Sequence, residues 1–574
     1  MAGVASLCCL VPRVAGAVVL FALLLVPPRA ADAASTKAFP GAQGAGALAL
    51  GGRGPPGSTP RVITVTSLDD GTAPGTLGWA IDQRGPRYVT FAVSGNIIAN
   101  RGNTGGFGYN VKHPYITILG QTAPGKGITI TCPRNPGTCL GVTADHVVIR
   151  YLRVRHLVCV NCPKGTGSVQ NVTFWAGQDQ ILDHVSMSWS EDDSLDTARS
   201  SPMDRWTGQW LLLADGIVVH NTAMVYSFAD QRTADASGAT DVHHSIMIAH
   251  HRLPRGGTPI TRLVNNIFIP LTGDSKAATD VCGGEAADII GNFYKDAQAG
   301  GSRPYAISLE SEQELNICIP DRSDARDPCR GGPRYLQGWS GYYPRRNGGM
   351  PSVYVSANAG HGLTGREGVQ ANWNALAFHT GGGIGATRFA SPNSDFSACA
   401  SPGPCPPSPA YASWRRTSPL TPALPVPIRA SSADAVLESR LWKLAGASRR
   451  VTETGGWAPA RDRFDEGVEQ RARRGALFEP SSENDARYRG DGWSATLADI
   501  DAHANEGAPA STLVPGLPDV WVRHWRSVGE GHPTSAFDEA PWNDGYPAIE
   551  LFASGLCPTT TTVRSCNAAI AAAR

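Results

Sequence analysis

From about residue 39 to residue 294 the chain is a succession of short β-branched runs separated by Gly, Asn, Asp and Pro: RVITVTSL, RYVTFAVSG, YITILGQ, GITITC, HVVIRYLRVRH, QNVTFW. Runs of this length, with hardly a helical period between them, predict strand after strand. One early helix is predicted, over residues 74–82 (PGTLGWAID). The later runs resemble one another: ILDHVSMSW, VVHNTAMVY, VHHSIMIAH, LVNNIFIPL and IIGNFYK. Aligned on their polar pair, they place His184, Asn221, His244, Asn266 and Asn292 at equivalent positions, 37, 23, 22 and 26 residues apart. A strand with an inward polar residue recurring at this period predicts an all-β solenoid, a parallel β-helix whose coils stack strand on strand. Side chains stacked at one bend satisfy each other's hydrogen bonds up the ladder, so these histidines and asparagines read as ladder members first. The 37-residue step implies an insertion in TARSSPMDRWTGQW, residues 197–210.

The run at residues 181–189 ends in a cluster of carboxylates. Read as one alternating strand, it puts Ile181, Asp183, Val185, Met187 and Trp189 on one face and Leu182, His184, Ser186 and Ser188 on the other. Glu191, Asp192, Asp193 and Asp196 follow. Three successive carboxylates repel one another in a packed core, so the turn is expected to be solvated, to hold a cation, or both. Downstream, HHRLPRGG at residues 250–257 is its basic counterpart.

Past residue 295 the repeat fades. Residues 301–430 are rich in Gly, Pro and Arg and read as covering loops or linker. Residues 431–574 regain helical character in ADAVLESRLWKLAG, RDRFDEGVEQRARRG and LPDVWVRHWRSVG. The start of the chain has a weakly basic head, an apolar run over residues 14–26 and small residues at 31–33, the pattern of a secretory signal peptide over residues 1–33. The expectation is a β-helix over 39–300, exported to the periplasm or beyond, soluble and a single chain.

Cysteine and charge fit that compartment. Of 13 cysteines, 11 follow the leader, and ten form close sequence pairs: 132 with 139, 159 with 162, 318 with 329, 399 with 405, and 557 with 566. Local disulfides are the simplest pairing in an oxidising compartment, with Cys282 left over. The net charge of +1 over 574 residues gives no global attraction to nucleic acid or anionic membrane, so a polyanionic ligand must be met by a local basic patch.

In order along the chain, FPGAQGAGALALGGRG, VTSLDDGTAPGTLGWAI, VTFAVSGNI, ITILGQTAPGKGITI, VVIRYLRVR, ILDHVSMSWS, HHSIMIAHHRLPR and VNNIF together resemble the pectate lyases, whose fold is a right-handed parallel β-helix. GLPDVW and NDGYPAIELFASGL resemble the tail of secreted members. The resemblance implies cleavage of polygalacturonate or a related uronan by β-elimination, with calcium as cofactor. It implies calcium ligands at Asp192 and Asp196, a proton-abstracting Arg252, a substrate-gripping Arg255, and a mainly structural Asp183–His184 pair. Two positions depart from the family. A calcium aspartate is expected where Gln170 stands, which offers an oxygen without charge, and a substrate lysine near Gln231, where Arg232 is the available cation. Glu191 and Asp193 are alternative ligands. A β-helix glycoside hydrolase with paired carboxylates, and a non-catalytic uronan-binding β-helix, are the competing readings.

Overall fold

The computed structural model describes residues 36–99, 106–132, 137–156, 170–190, 194–197, 203–214, 224–225, 239–249, 253–254, 260–270, 279–282, 285–295, 307–310, 352–360, 376–378, 416–420, 424, 426–473, 491–503, 509–528, 533–538 and 545–573. Its strands pair in parallel into three long sheets, a first of ten strands, a second of nine, and a third recorded as stretches of five and three. Most coils contribute one described strand to each sheet. The coil Ile128–Cys132, Thr138–Val142 and Val147–Arg150 visits the second, third and first sheets in turn, and Leu152–His156 begins the next. This is a parallel β-helix, as the repeat predicts. Strands Ile307–Glu310, Ser352–Ser356 and Leu376–Phe378 extend the same sheets, so the coils run beyond residue 300.

The interior is built from columns of like side chains. Along the first sheet Ile63, Val89, Ile118, Ile149, Leu182, Gly208, Val242, Leu263, Ile289 and Val355 are successive partners. Along the second the column is Ile97, Ile130, Val154, Met187, Leu213, Met247, Phe268 and Tyr294. Burial of such columns, at about 25 cal/mol per Å2 of apolar surface, favours the coiled state. The lone glycine is explained by its neighbour: a Cβ on Gly208 would lie 2.6 Å from the Trp206 ring, and that fully buried indole fills the missing volume.

The bend from first to second sheet corrects two expectations. Residues 181–189 are two strands of two sheets, Gly177–Asp183 and Ser186–Ser188, with His184 between them at φ 54°. The left-handed residue reverses the alternation, so Leu182 and Met187 both face the core. The ladder likewise has two columns. Register makes His184 equivalent to Trp210, His244, Asn265 and Gly291, all at positive φ, whereas Asn266 and Asn292 lie one place later, level with Ser245 and Asn358. Asn221 lies outside the described residues. Residues 203–209 form a first-sheet strand, Met203–Gln209, so the extra length falls in the following coil, between Leu212–Ala214 and Ala239–His243.

Both columns hold the bend by identifiable forces. The asparagines form a ladder: Asn266 N donates to Asn292 Oδ1 at 2.8 Å and Asn292 N to Asn358 Oδ1 at 2.8 Å. Each amide also donates to a carbonyl of the preceding coil, Asn292 Nδ2 to Leu263 O at 2.9 Å among them. In the other column positive φ costs bulky residues about 1–2 kcal/mol each, offset by ring stacking: Tyr151–His184 at 4.4 Å, His184–Trp210 at 5.8 Å, Trp210–His244 at 4.7 Å.

The chain ends cover the coil. The glycine-rich opening lies on the outer first sheet, where Ala45 N donates to Asp241 Oδ2 at 2.6 Å and Gly46 N to Thr207 Oγ1 at 2.9 Å. A Cβ at Gly46 would meet Gln180 O at 2.0 Å, which is why that motif needs glycine. Helix Ala435–Leu444 packs Leu441 and Trp442 against Leu212, Ile246 and Ile267 of the second sheet. Helices Asp519–Val528 and Ala548–Ala553 bury Trp521, Trp525 and Phe552 with Tyr88 and Leu119. The expected early helix forms over Leu77–Asp82, capped by Thr76, whose hydroxyl accepts from Trp79 N. Cys132–Cys139 and Cys557–Cys566 are bonded, while the partners in the other three expected pairs lie outside the described residues. Among the described residues no helix is long and apolar enough to cross a membrane, and the predicted leader lies outside them.

Candidate active site on the third sheet

The third sheet gathers the described candidate residues. Strands Gln170–Phe174 and Leu195–Thr197 pair so that Thr173 stands beside Asp196, while Val172 and Leu195 point into the core. Gln170 and Asp196 are both buried. The Gln170 amide donates from Nε2 to Asp196 Oδ2 at 3.4 Å. Its Oε1 accepts from Thr138 Oγ1 at 3.1 Å and from Thr173 Oγ1 at 2.7 Å. Gln170 thus touches Asp196 with its donor, rather than its oxygen, facing the carboxylate.

The stem of the acidic turn is closed. Ser190 and Ser194, both buried, share a hydroxyl contact of 2.9 Å, and Asn171 Nδ2 holds Ser188 O at 3.0 Å. Glu191, Asp192 and Asp193 lie outside the described residues. So do Arg232, Arg252 and Arg255. Leu253 is described: it is buried in the core, and its carbonyl accepts from Thr279 Oγ1 at 2.7 Å. Thr279 opens a third-sheet strand, Thr279–Cys282, which places Leu253 on the third-sheet side of its coil. Asp196 pairs with Met224 in the next coil, and Leu253 belongs to the coil after that. Two coils at about 4.8 Å each separate them by about 10 Å.

A hard cation asks for six to eight oxygens. Among the described residues no three His, Cys, Asp or Glu side chains stand together as a metal site. Asp196 offers a carboxylate, and the Gln170 oxygen is already engaged by two hydroxyls, so the described donors fit such an ion only in part.

The Asp183–His184 pair serves structure. Asp183 accepts from Arg150 Nε at 2.7 Å, from His184 Nδ1 at 2.8 Å and from Gln209 Nε2 at 2.7 Å. Burial raises its pKa, but His184 and Arg150 outweigh burial and hold the carboxyl well below the usual range. Burial also brings the His184 ring down to about 4 against the pull of Asp183, so at neutral pH it is a neutral donor in the stacked column.

Sequence reasoning missed a charged group on the second sheet. Arg155 donates to Asp462 at 2.6 and 3.0 Å and to Asp465 Oδ1 at 2.9 Å. Arg153 lies 3.3 Å from Asp462, and Ser186 Oγ donates to Asp465 Oδ2 at 2.6 Å. All are buried. Alternating arginines in RVRH were the available signal, but their partners are about 300 residues away in sequence. The cluster fastens the carboxy-terminal region to the second sheet.

In sequence the chain is 36% identical over 203 residues to a probable pectate lyase C of Emericella nidulans, covering 35% of this chain and 42% of the relative. It is 30% identical over 290 residues to a probable pectate lyase C of Aspergillus terreus, covering 50% of this chain and 61% of the relative. The chain therefore spans about half the length of these curated relatives. No family model matches. Among solved structures, a Bacillus subtilis pectate lyase mutant overlays with a TM-score of 0.41 at 13% identity, covering 71% of this chain and 96% of that one. Pectate lyase II of Xanthomonas campestris overlays at 0.36 and 12% identity, covering 71% and 98%. The fold assignment rests on the strand pairing described above rather than on these overlays.

Proposed function

We propose that this chain, which resembles the pectate lyase family in sequence, is an exported polysaccharide lyase that cleaves polygalacturonate or a related uronan by calcium-assisted β-elimination. The observation that carries the reading is its identity of 30–36% to probable pectate lyases over as much as half the chain. Asp196 and Leu253 support it: Leu253 stands on the third-sheet side of its coil, two coils beyond Asp196, which would bring the acidic and basic segments to one side of the solenoid.

In this reading Asp192 and Asp196 hold calcium, with Gln170 beside them as a neutral oxygen source. An ion held there would supply positive charge at the uronate carboxylate, which would make the neighbouring C5–H more acidic. Arg252, the chain neighbour of Leu253, takes the C5 proton. The C5 electron pair forms the C4=C5 double bond as the C4–O bond breaks, and the departing oxygen is protonated from solvent. Arg255 and Arg232 grip substrate carboxylates, and their positive field favours the neutral form of Arg252 that a base requires.

A non-catalytic uronan-binding role is the second reading, favoured by one observation: the Gln170 amide is satisfied by Thr138, Thr173 and Asp196 without an ion. Incubating the protein with several uronans, with calcium or with chelator, and following ultraviolet absorbance of the unsaturated product separates the two. The lyase reading expects calcium-dependent absorbance. Binding without absorbance supports the second reading.

A further inference from the structure

The outer face of the third sheet carries an aromatic pair towards its amino-terminal end. Phe107 opens the strand Phe107–Val111 and pairs with Thr138, which pairs with Gln170. The next outward row is Asn110, Gly141, Thr173 and Asp196. Gly141 has no side chain, and an added Cβ there would lie 2.3 Å from one Phe107 ring carbon and 2.5 Å from the next. The ring therefore lies down on the backbone of the neighbouring coil, which only glycine permits. Trp175 meets it edge to face at 6.0 Å. Both rings are half-buried.

Polar groups border the pair. Thr143 Oγ1 and Asn110 Oδ1, both half-buried, are bonded at 3.2 Å. Lys112, Thr143 and Trp175 each follow mutually paired residues, Val111, Val142 and Phe174, so they share one end of the sheet. The Lys112 side chain is 48% exposed, and its ammonium lies 3.3 Å from Asp82, itself 34% exposed. An ion pair of that kind contributes little and exchanges readily.

We propose that Phe107 and Trp175, with Lys112 at their border, form a binding subsite for one uronate ring of an acidic polysaccharide. The subsite lies on the same sheet face as Asp196, with the Phe107 strand three coils nearer the amino terminus. The flat ring of Phe107 takes the apolar C–H face of the pyranose, a large contact at low entropic cost. Asn110 and Thr143 meet hydroxyls, and Lys112 meets the carboxylate. The subsite rests on the uronan reading above and extends it from the reacting sugar to one bound up to three coils away.

The test is binding of galacturonate oligomers of increasing length to the full chain in chelator, read by calorimetry, alongside turnover of the polymer in calcium. Wild type is expected to gain affinity as the oligomer becomes long enough to reach from Asp196 to Phe107. Phe107→Ala and Gly141→Ala should each remove about tenfold of the affinity for the longest oligomer and raise KM. Phe107→Tyr should restore it, and Phe107→Leu keeps apolar cover over Gly141 if the alanine variant folds poorly. Lys112→Ala should erase the preference for the free acid over its methyl ester. Product formation with unchanged affinity and KM in folded Phe107→Ala and Phe107→Leu overturns the subsite and leaves the lyase reading standing. Oligomer binding that depends on Phe107, with no unsaturated product in calcium, keeps the subsite and overturns the lyase reading. A wild type that neither binds nor cleaves overturns both.

Discussion

Gln170 points its amide nitrogen at Asp196 of the adjacent coil, 3.4 Å from Oδ2. A carboxamide donor facing a carboxylate stabilises that carboxylate without an ion, so a cation arriving there must compete with the contact and gains no charge from residue 170. Gln170→Asp should therefore tighten calcium binding by about tenfold or more, since formal charge sets the affinity of hard-cation sites. Isothermal calorimetry on the two proteins checks this, and equal or weaker binding by the variant contradicts it.

The buried cluster joining Arg153 and Arg155 to Asp462 and Asp465 predicts that the carboxy-terminal region is part of the folding unit. Asp462→Ala leaves Arg155 buried without its bidentate partner, which should cost about 3–5 kcal/mol. Denaturant unfolding gives the loss. A cost below about 1 kcal/mol would mean that the contact is incidental.

Gly208 and Trp206 form a matched pair of small and large. Gly208→Ala brings a carbon to 2.6 Å from the indole and should destabilise by about 1–3 kcal/mol. Trp206→Leu in the same chain should recover part of that loss, giving a favourable coupling in a double-mutant cycle. Additive effects would show that the two side chains do not share the volume.

Three buried histidines set a pH window. Burial brings His184 and His243 to about 4 and His244 well below its ordinary value. His184 faces Asp183, Arg150 and Arg449, His243 faces His244 and Asp183, and His244 also faces Arg440. Unfolded rings titrate near 6.5. Below that value the unfolded chain takes protons that the folded rings refuse, so the stability present above about pH 6.5 is lost as pH falls towards 4. The melting temperature should be nearly level above about pH 7 and drop through that window, and a level profile down to pH 4 would contradict the assignment.

The repeat was legible because β-branched runs and turn residues recur at coil length, and Asn266 and Asn292 announce their ladder. The bend was misread where a local rule was broken: a histidine at positive φ interrupts the alternation at 184, and Trp210 occupies the equivalent place without being polar. Residues 203–209 fell within the expected insertion because the long step from His184 to Asn221 was assigned to the segment after the acidic turn, yet they form a strand in which Trp206 and Gly208 share one core space. Asp196 and Gln170 were legible as neighbours only through family resemblance, since their contact crosses coils. The Arg155–Asp462 bond and the flat seat of Phe107 on Gly141 depend on tertiary approach that no local pattern records.

The central claim, that the chain eliminates across C4–C5 of a uronan with Arg252 as base, is tested most directly by Arg252→Ala. Ultraviolet absorbance at saturating calcium, measured beside the melting temperature, is the readout. The account predicts an unchanged melting temperature and a rate loss of about three powers of ten or more. A correctly folded variant that still forms the unsaturated product at near wild-type rate would contradict it.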